Sequence, residues 1–255
     1  MTDETSAGEL TPSALQQLVE SSAPEDWLSA ASDPTLSEGL ALRLLHRPEL
    51  TTEILQALAR NPISASSRKV LNALARHAKT PRRITLRLIQ RLWTFELMQF
   101  VLTLTVAADL RMHAEKLLVT RSAAISLGER ISLARRASAG VVGALLLDLD
   151  ARVVAAALNN SRLTEAAIMK ALSRESAPQH LVLAIIQHEK WRARQDVRIA
   201  LLRNPKTPLA RALQIAESLP RPILDEMVAC GALPAHLQQY LRKALKEQRR
   251  GRCGR

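Results

Sequence analysis

The sequence predicts an all-α fold, an α-solenoid built of short paired helices. Of its 255 residues, 47% are hydrophobic but only 2% are aromatic, so Ala and Leu carry most of the apolar content. This composition suits helices packed closely on helices, whereas a β-sandwich is typically richer in Val, Ile, Thr and aromatic residues. Two further observations favour helices: start signals recur along the chain, and apolar residues repeat with a helical period.

A Lys-Thr-Pro motif occurs twice, each time before an apolar run. It reads RHAKTP at 76–81 and RNPKTP at 203–208. A Thr hydroxyl can accept a hydrogen bond from the first turn of a helix, and Pro is tolerated at the first helical position. With related but looser starts included, the predicted N-caps are Thr51, Ser64, Thr80, Ser126, Thr164 and Thr207.

The spacing of these caps indicates a repeat. Successive intervals between the caps Thr80, Ser126, Thr164 and Thr207 are 46, 38 and 43 residues. Periods near 40 are typical of solenoids whose repeats are two-helix units.

Two segments carry a clear helical pattern. In DARVVAAALNN, Asp150 is predicted to cap a short helix with a buried Val and Ala stripe, which two Asn residues end. In segment 81–93 the apolar residues, Trp93 included, project to one broad side and the polar ones to the other. The predicted polar side consists of Arg83, Arg87, Gln90 and Arg91.

Residues 150–172 and 196–216 resemble HEAT-like and leucine-rich-repeat-variant units of bacterial proteins. The shared pattern is Asp-x-x-Val or Asp-x-x-Ile, a helix of small residues, Asn-Pro or Asn-Ser, Thr, and a Leu/Ala helix. The similarity covers residues 40–220 approximately. It implies a curved α-superhelix whose concave face binds proteins or nucleic acid, and it names caps and core positions rather than a reaction.

The charge of the chain is distributed unevenly. Residues 1–40 hold eight acidic residues and no Lys or Arg, so residues 41–255 carry all 36 bases against 16 acids. We expect an acidic N-terminal capping segment over 1–40 with a partly disordered start, a helical repeat domain over 41–240, and a basic tail over 241–255. In that capping segment, Ser22 and Glu25 form a predicted capping box, and Trp27 and Leu28 are expected to dock. Alternatively, the acidic segment folds against the basic stretch and regulates it.

The stretch 54–95 contains nine bases and no acid. It is either a solvated helix face or a surface for an anionic partner, namely nucleic acid, an acidic protein segment or a membrane surface. The candidate contacts are Arg76, Lys79, Arg83, Arg87 and Arg91. Trp191, in the polar stretch HEKWRARQD, is added as the best candidate for an exposed aromatic side chain.

No catalytic or cofactor-binding motif is recognisable. The two cysteines and six histidines lack metal-ligand or triad spacing, and Cys230 is expected in the core. A Gly-rich phosphate loop is absent from the sequence; Gly140 and Gly143 are predicted to allow close helix packing. Neither a signal peptide nor a membrane-spanning run is visible, so a cytoplasmic setting is the expectation.

Three functions are therefore compared. The first is a non-catalytic scaffold that binds a protein partner. The second is a nucleic-acid-binding solenoid that uses the basic surface around residues 60–91, although the scarcity of aromatic residues disfavours a dedicated single-strand binder. The third and most remote is a HEAT-like alkylpurine DNA glycosylase, whose motif has no residue-by-residue match here.

Overall fold

The computed structural model describes residues 11–235 and 237–243, in which helices and turns occur and no strand is present. Ala235 and residues 237–243 are helical. The eighteen helices with complete bounds are α1 (Pro12–Glu20), α2 (Pro24–Ser32), α3 (Glu38–Leu45), α4 (Thr52–Arg60), α5 (Pro62–Ser66), α6 (Arg68–Arg76), α7 (Arg82–Ile89), α8 (Thr94–Leu102), α9 (Ala108–Ser122), α10 (Leu127–Arg136), α11 (Ala139–Leu145), α12 (Ala151–Leu158), α13 (Glu165–Leu172), α14 (Gln179–Gln187), α15 (Glu189–Arg192), α16 (Gln195–Arg203), α17 (Leu209–Glu217) and α18 (Arg221–Ala229). The all-α prediction is confirmed for this part of the chain.

The chain divides into two compact units, residues 1–121 and 122–255. In the first unit, α2 packs on α4, while α1 packs on α3 and α3 on α6. In the second unit, α10 packs on α12 and α12 on α14, while α11 packs on α13 and α13 on α16. In each unit, helices that are not consecutive in the chain therefore lie side by side, which gives two alternating sets of neighbours.

Small and aliphatic side chains fill the core of both units. The largest fully buried side chains are those of Trp27 and Phe100, and the rest of that group are Leu and Ile. Gly143 of α11 lies against α13, where an added Cβ would come within 3.3 Å of the Cβ of Ala167. The predicted role of Gly143 in close helix packing is confirmed, whereas Gly140 is exposed.

Three buried asparagines join helices that are distant in sequence. Each ends a helix and sends its side-chain amide back to a main-chain carbonyl near the end of an earlier helix. Asn61 donates to Ala31 O at 3.0 Å, Asn160 to Ala134 O at 2.8 Å, and Asn204 to Leu172 O at 2.7 Å. The amide oxygen of each accepts the main-chain N–H two residues later, so both ends of these buried amides are satisfied.

The two Lys-Thr-Pro threonines do not cap the helices that follow them. Thr80 and Thr207 are buried, and their hydroxyls donate backwards to Leu74 O at 2.7 Å and Leu201 O at 2.6 Å. The following helices begin after Pro81 and Pro208, which make no side-chain cap. The predicted N-caps at these two positions are wrong, because each hydroxyl bonds the last turn of the preceding helix instead. There it is a second donor to a carbonyl that already accepts a main-chain N–H, that of His77 at Leu74 O and that of Asn204 at Leu201 O.

Of the other predicted caps, some are confirmed and one is wrong. Thr51, Ser126 and Thr164 accept from the first turns of α4, α10 and α13, and Ser126 forms the predicted box with Glu129. Ser64 lies inside α5, which Asn61 caps, so that prediction is wrong. Asp150 caps α12 as expected.

The acidic N-terminal segment forms helices from Pro12 onwards. Trp27 is buried as predicted, and its indole N–H donates to Ser21 O at 2.9 Å. The prediction that Leu28 docks beside it is wrong, because Leu28 lies on the exposed side of α2. The predicted box of Ser22 with Glu25 is wrong, because α2 begins at Pro24 after Ala23, which has no side-chain cap. Residues 1–10, like the tail beyond 243, lie outside the described residues.

Two further properties bear on the sequence predictions. Cys230 is exposed rather than buried, because it is the C-cap that follows α18 and lies outside the buried face of the helix. Among the described residues, no helix has both the length and the apolar content needed to cross a membrane.

Candidate functional site

The candidate site is built on α7, whose two sides differ sharply. Leu88 and Ile89, with Leu92 just beyond the helix, are buried against the core of the first unit. Helical periodicity then places Arg83 and Arg87 on the opposite, exposed side, and the exposed Arg91 follows in the turn after the helix. Arg83 and Arg87 are therefore about 6 Å apart along the helix axis.

A fourth arginine faces this row from α4. Arg60 is the last residue of α4, and the position of this helix end is fixed by Asn61, which is tied to Ala31 O and to Asp33 O at 2.7 Å. The buried asparagine thus holds Arg60 in place relative to the rest of the unit.

An open groove of about 640 Å³ lies between α4 and α7. Four arginines line it, and its apolar lining, which includes Ile84 and Leu88, is called the floor below. None of its lining residues is acidic or aromatic. They are Gln56, Ala59, Arg60, Pro81, Arg83, Ile84, Arg87, Leu88 and Arg91.

The groove arginines differ from most other bases of the 54–95 stretch in their partners. Lys69 pairs with Glu38 at 2.8 Å, Arg68 pairs with Glu96, and Arg82 pairs with Asp109. By contrast, within the described part of the chain, no ion pair is formed by any of the four groove arginines. Acids from other segments therefore neutralise part of the basic stretch, and its remaining positive charge is concentrated at the groove.

The structure separates the predicted contact residues. Arg83, Arg87 and Arg91 line one groove, as the helical pattern indicates. Arg76 and Lys79 do not line it. Arg76 is half-buried, and burial lowers the pKa of its guanidinium although the nearby Glu96 opposes that shift. Lys79 is exposed and donates to Pro48 O at 3.0 Å.

The prediction that Trp191 is exposed is wrong. Its side chain is 3% exposed, and its indole N–H donates to Leu158 O at 2.9 Å. The ammonium of Lys190 lies 4.2 Å from the ring centroid. The polar neighbours that suggested exposure therefore cover a buried ring.

Trp93 is instead the exposed tryptophan, at 66% of its surface, so the prediction that it lies on the apolar side of segment 81–93 is also wrong. The Arg68 guanidinium lies over its ring, 4.2 Å from the centroid, and also donates to Arg91 O at 2.9 Å. The main-chain N–H of Trp93 donates to Glu96 at 2.8 Å, which fixes the start of α8. A signal was present in the sequence: Trp93 stands directly before a Thr-x-Glu helix start, where a side chain leaves the preceding helix face.

The second unit contains grooves of a different character. One of them, about 880 Å³ between α13 and α16, mixes bases such as Lys170 and Arg203 with the acids Glu175 and Asp196. Among the described residues, no group of three or more His, Cys, Asp or Glu side chains is arranged to hold a metal ion.

The chain was compared with protein families, curated proteins and solved structures. No family model matches the chain. No curated protein and no solved structure matches it either.

Proposed function

We propose that this protein is a non-catalytic α-helical repeat scaffold that binds a partner protein through the arginine-lined groove. In this proposal the paired helices of each unit are HEAT-like repeats, and the chain as a whole is an α-solenoid. The recurrence of a buried, helix-joining asparagine at Asn61, Asn160 and Asn204 supports the repeat assignment, because each one links a helix to an earlier helix in the same way.

The observation that carries the proposal is the acid-free lining of the groove. Four guanidinium groups without ion-pair partners are costly to bring together, since like charges repel across a shared surface. An anionic partner relieves that repulsion and gains charge-assisted hydrogen bonds, for which the planar fork of Arg is well suited.

Nucleic acid is the second candidate partner, and a specific observation favours it. Trp93 exposes its ring just beyond Arg91, so an aromatic surface for a base follows a row of phosphate-binding side chains. The apolar floor around Ile84 and Leu88 favours protein, because it offers burial to an apolar side chain rather than to a phosphodiester backbone.

The remote glycosylase hypothesis gains little support. A carboxylate does lie beside an exposed tryptophan, namely Glu96 beside Trp93. However, Glu96 is already engaged by Arg68 and by the main chain at the start of α8, and it does not line the groove.

The test compares what the protein retains from cells. Tagged wild type is compared with a variant that carries Arg83→Glu and Arg87→Glu. A matched control carries Arg135→Glu and Arg136→Glu, two exposed positions at the end of α10 that undergo the same charge change. We expect the wild type and the control to retain a protein that the groove variant loses, after nuclease treatment of all samples.

A different pattern would contradict the proposal. If nuclease removes everything that the wild type retains and the groove variant does not, the partner is nucleic acid. If the groove variant and the wild type retain the same set, the groove is not the binding surface.

A further inference from the structure

We infer that the groove between α4 and α7 takes an acidic peptide segment that also carries apolar side chains. The inference rests on the proposed function and names the chemistry of its partner. It depends on three properties of the groove: the identity of its charged groups, the nature of its floor, and the spacing of its arginines.

The charged groups favour carboxylates. Arg60, Arg83, Arg87 and Arg91 are all arginines, so each wall presents forked N–H donors that match a carboxylate with two parallel hydrogen bonds. Arg91 uses part of this capacity, since its guanidinium donates to Ala65 O at 3.2 Å. Arg83 and Arg87 donate to no recorded partner among the described residues and are therefore the best placed to bind a ligand.

The floor favours a segment that is not purely acidic. Ile84 is half-buried and Leu88 is 5% exposed, and with Ala59 and Pro81 they form the apolar part of the lining. Burial of an apolar ligand side chain on this floor is favourable, and it would also exclude water from the neighbouring arginine–carboxylate contacts.

The spacing of the arginines suits a short peptide rather than a long polyanion. Arg83 and Arg87 are about 6 Å apart along α7, given the rise of 1.5 Å per residue, and Arg91 lies in the turn that follows the helix. Alternate side chains of an extended peptide are about 6.6 Å apart, and side chains four apart on a helix are about 6 Å apart. Either spacing places successive carboxylates of one short segment opposite successive arginines.

The same features disfavour nucleic acid as the occupant of this groove. Bases are bound on aromatic surfaces in sequence-tolerant single-strand sites, and no residue that lines the groove is aromatic. The exposed ring of Trp93, which follows Arg91 in the chain, already has the Arg68 guanidinium over it.

The experiment measures binding of four labelled probes to the full chain at several salt concentrations. The first is a short synthetic peptide in which pairs of Glu alternate with pairs of Leu. The second replaces every Leu with Ser, and the third replaces every Glu with Gln. The fourth is single-stranded oligothymidylate, a polyanion without the apolar side chains of the first.

We expect the Glu/Leu peptide to bind at least about tenfold more tightly than each of the other three probes. Arg83→Glu with Arg87→Glu should lower its affinity by about tenfold or more, whereas Arg135→Glu with Arg136→Glu should leave it within about twofold. Ile84→Thr should weaken the Glu/Leu peptide and leave the Glu/Ser peptide unchanged. Circular dichroism melts identify any variant that has lost its fold.

Three outcomes overturn the inference. Oligothymidylate binding as tightly as the Glu/Leu peptide would assign the groove to nucleic acid. Equal binding of the Glu/Leu and Glu/Ser peptides would remove the role of the floor. If the Glu/Leu peptide does not bind at low salt, the inference is wrong. The proposed function still stands if the wild type retains a cellular protein that the groove variant loses. If no such protein is retained, the proposed function is wrong as well.

Discussion

The side-chain amide of Asn61 donates to the carbonyl oxygen of Ala31 at 3.0 Å, across 30 residues of sequence. Asn160 and Asn204 make the corresponding bond across 26 and 32 residues. Each bond closes a carbonyl left unsatisfied at a helix end by means of a residue from a later helix. The packing of neighbouring helices within each unit therefore depends on these amides as well as on apolar burial.

Replacing Asn160 with Ala tests this dependence. The change leaves the carbonyl of Ala134 without its donor and removes the acceptor for the Arg162 N–H. We expect a loss of about 1–3 kcal/mol in the free energy of unfolding, since buried polar groups would lose their partners. Urea denaturation followed by circular dichroism measures it.

The neighbouring residue supplies the control for that experiment. Asn159 is exposed, and its amide donates only to Ala155 O within the same helix, at 2.8 Å. Asn159→Ala should therefore change the free energy of unfolding by no more than about 0.5 kcal/mol. Equal losses in the two variants would show that the long-range bond adds no stability.

The hydroxyl of Thr207 has a similar role at a shorter range. Thr207→Val keeps the shape of the side chain but removes the hydroxyl donor to Leu201 O, which keeps only the main-chain N–H of Asn204, so a loss of about 1 kcal/mol is expected. Thr120→Val is the matched control, because the hydroxyl of Thr120 makes its bond to Lys116 O on an exposed surface. Thermal melts of both variants give the comparison, and a Thr207→Val variant as stable as wild type would refute the assigned role.

Sequence reasoning predicted the helical class and many of the helix starts. Thr51, Ser126, Thr164 and Asp150 were recognisable because an N-cap acts on the first turn of its own helix, and this relationship is local. Thr80 and Thr207 were misassigned because the same side chain can close the end of the preceding helix. Sequence alone does not decide between the two partners of such a hydroxyl.

The candidate site was predictable only in part. Helical periodicity was enough to place Arg83 and Arg87 on one exposed side of α7. It could not bring Arg60 to the facing wall, because that position depends on how α4 and α7 lie in the folded unit. Nor could it show that Lys69 is paired with Glu38, an acid 31 residues away.

The carboxyl group of Asp150 gives a prediction about pH. Its pKa is lowered from 3.8 to about 2, first by hydrogen bonds from the Arg152 side chain and next by the Arg152 main-chain N–H. Because the pKa is lowered in the folded state, the charged carboxylate of Asp150 stabilises the fold at pH values above the ordinary pKa of 3.8. This contribution is lost as the pH falls through about 2.

Carbon-detected NMR titration of Asp150 checks this prediction. We expect a midpoint near pH 2 in the wild type and a midpoint closer to 3.8 in Arg152→Ala, which keeps the main-chain donor but loses the side-chain one. The stability difference between wild type and Asp150→Asn should shrink as the pH falls from 4 to 2. A wild-type midpoint near 3.8 would contradict the prediction.

The three tryptophans provide a test of the exposed ring. Trp27 and Trp191 are buried, whereas Trp93 is 66% exposed. Acrylamide should therefore quench mainly the emission of Trp93, and Trp93→Phe should abolish most of the quenchable fraction.

The variant that removes most of the quenching should have the smaller effect on stability. Trp93→Phe should change the free energy of unfolding by no more than about 0.5 kcal/mol, because it alters an exposed ring. Trp191→Phe should cost about 1–3 kcal/mol, because Leu158 O loses the indole donor in a buried site. Strong quenching that survives Trp93→Phe would mean that another tryptophan is open to solvent, and the surface next to Arg91 would then lose its aromatic component.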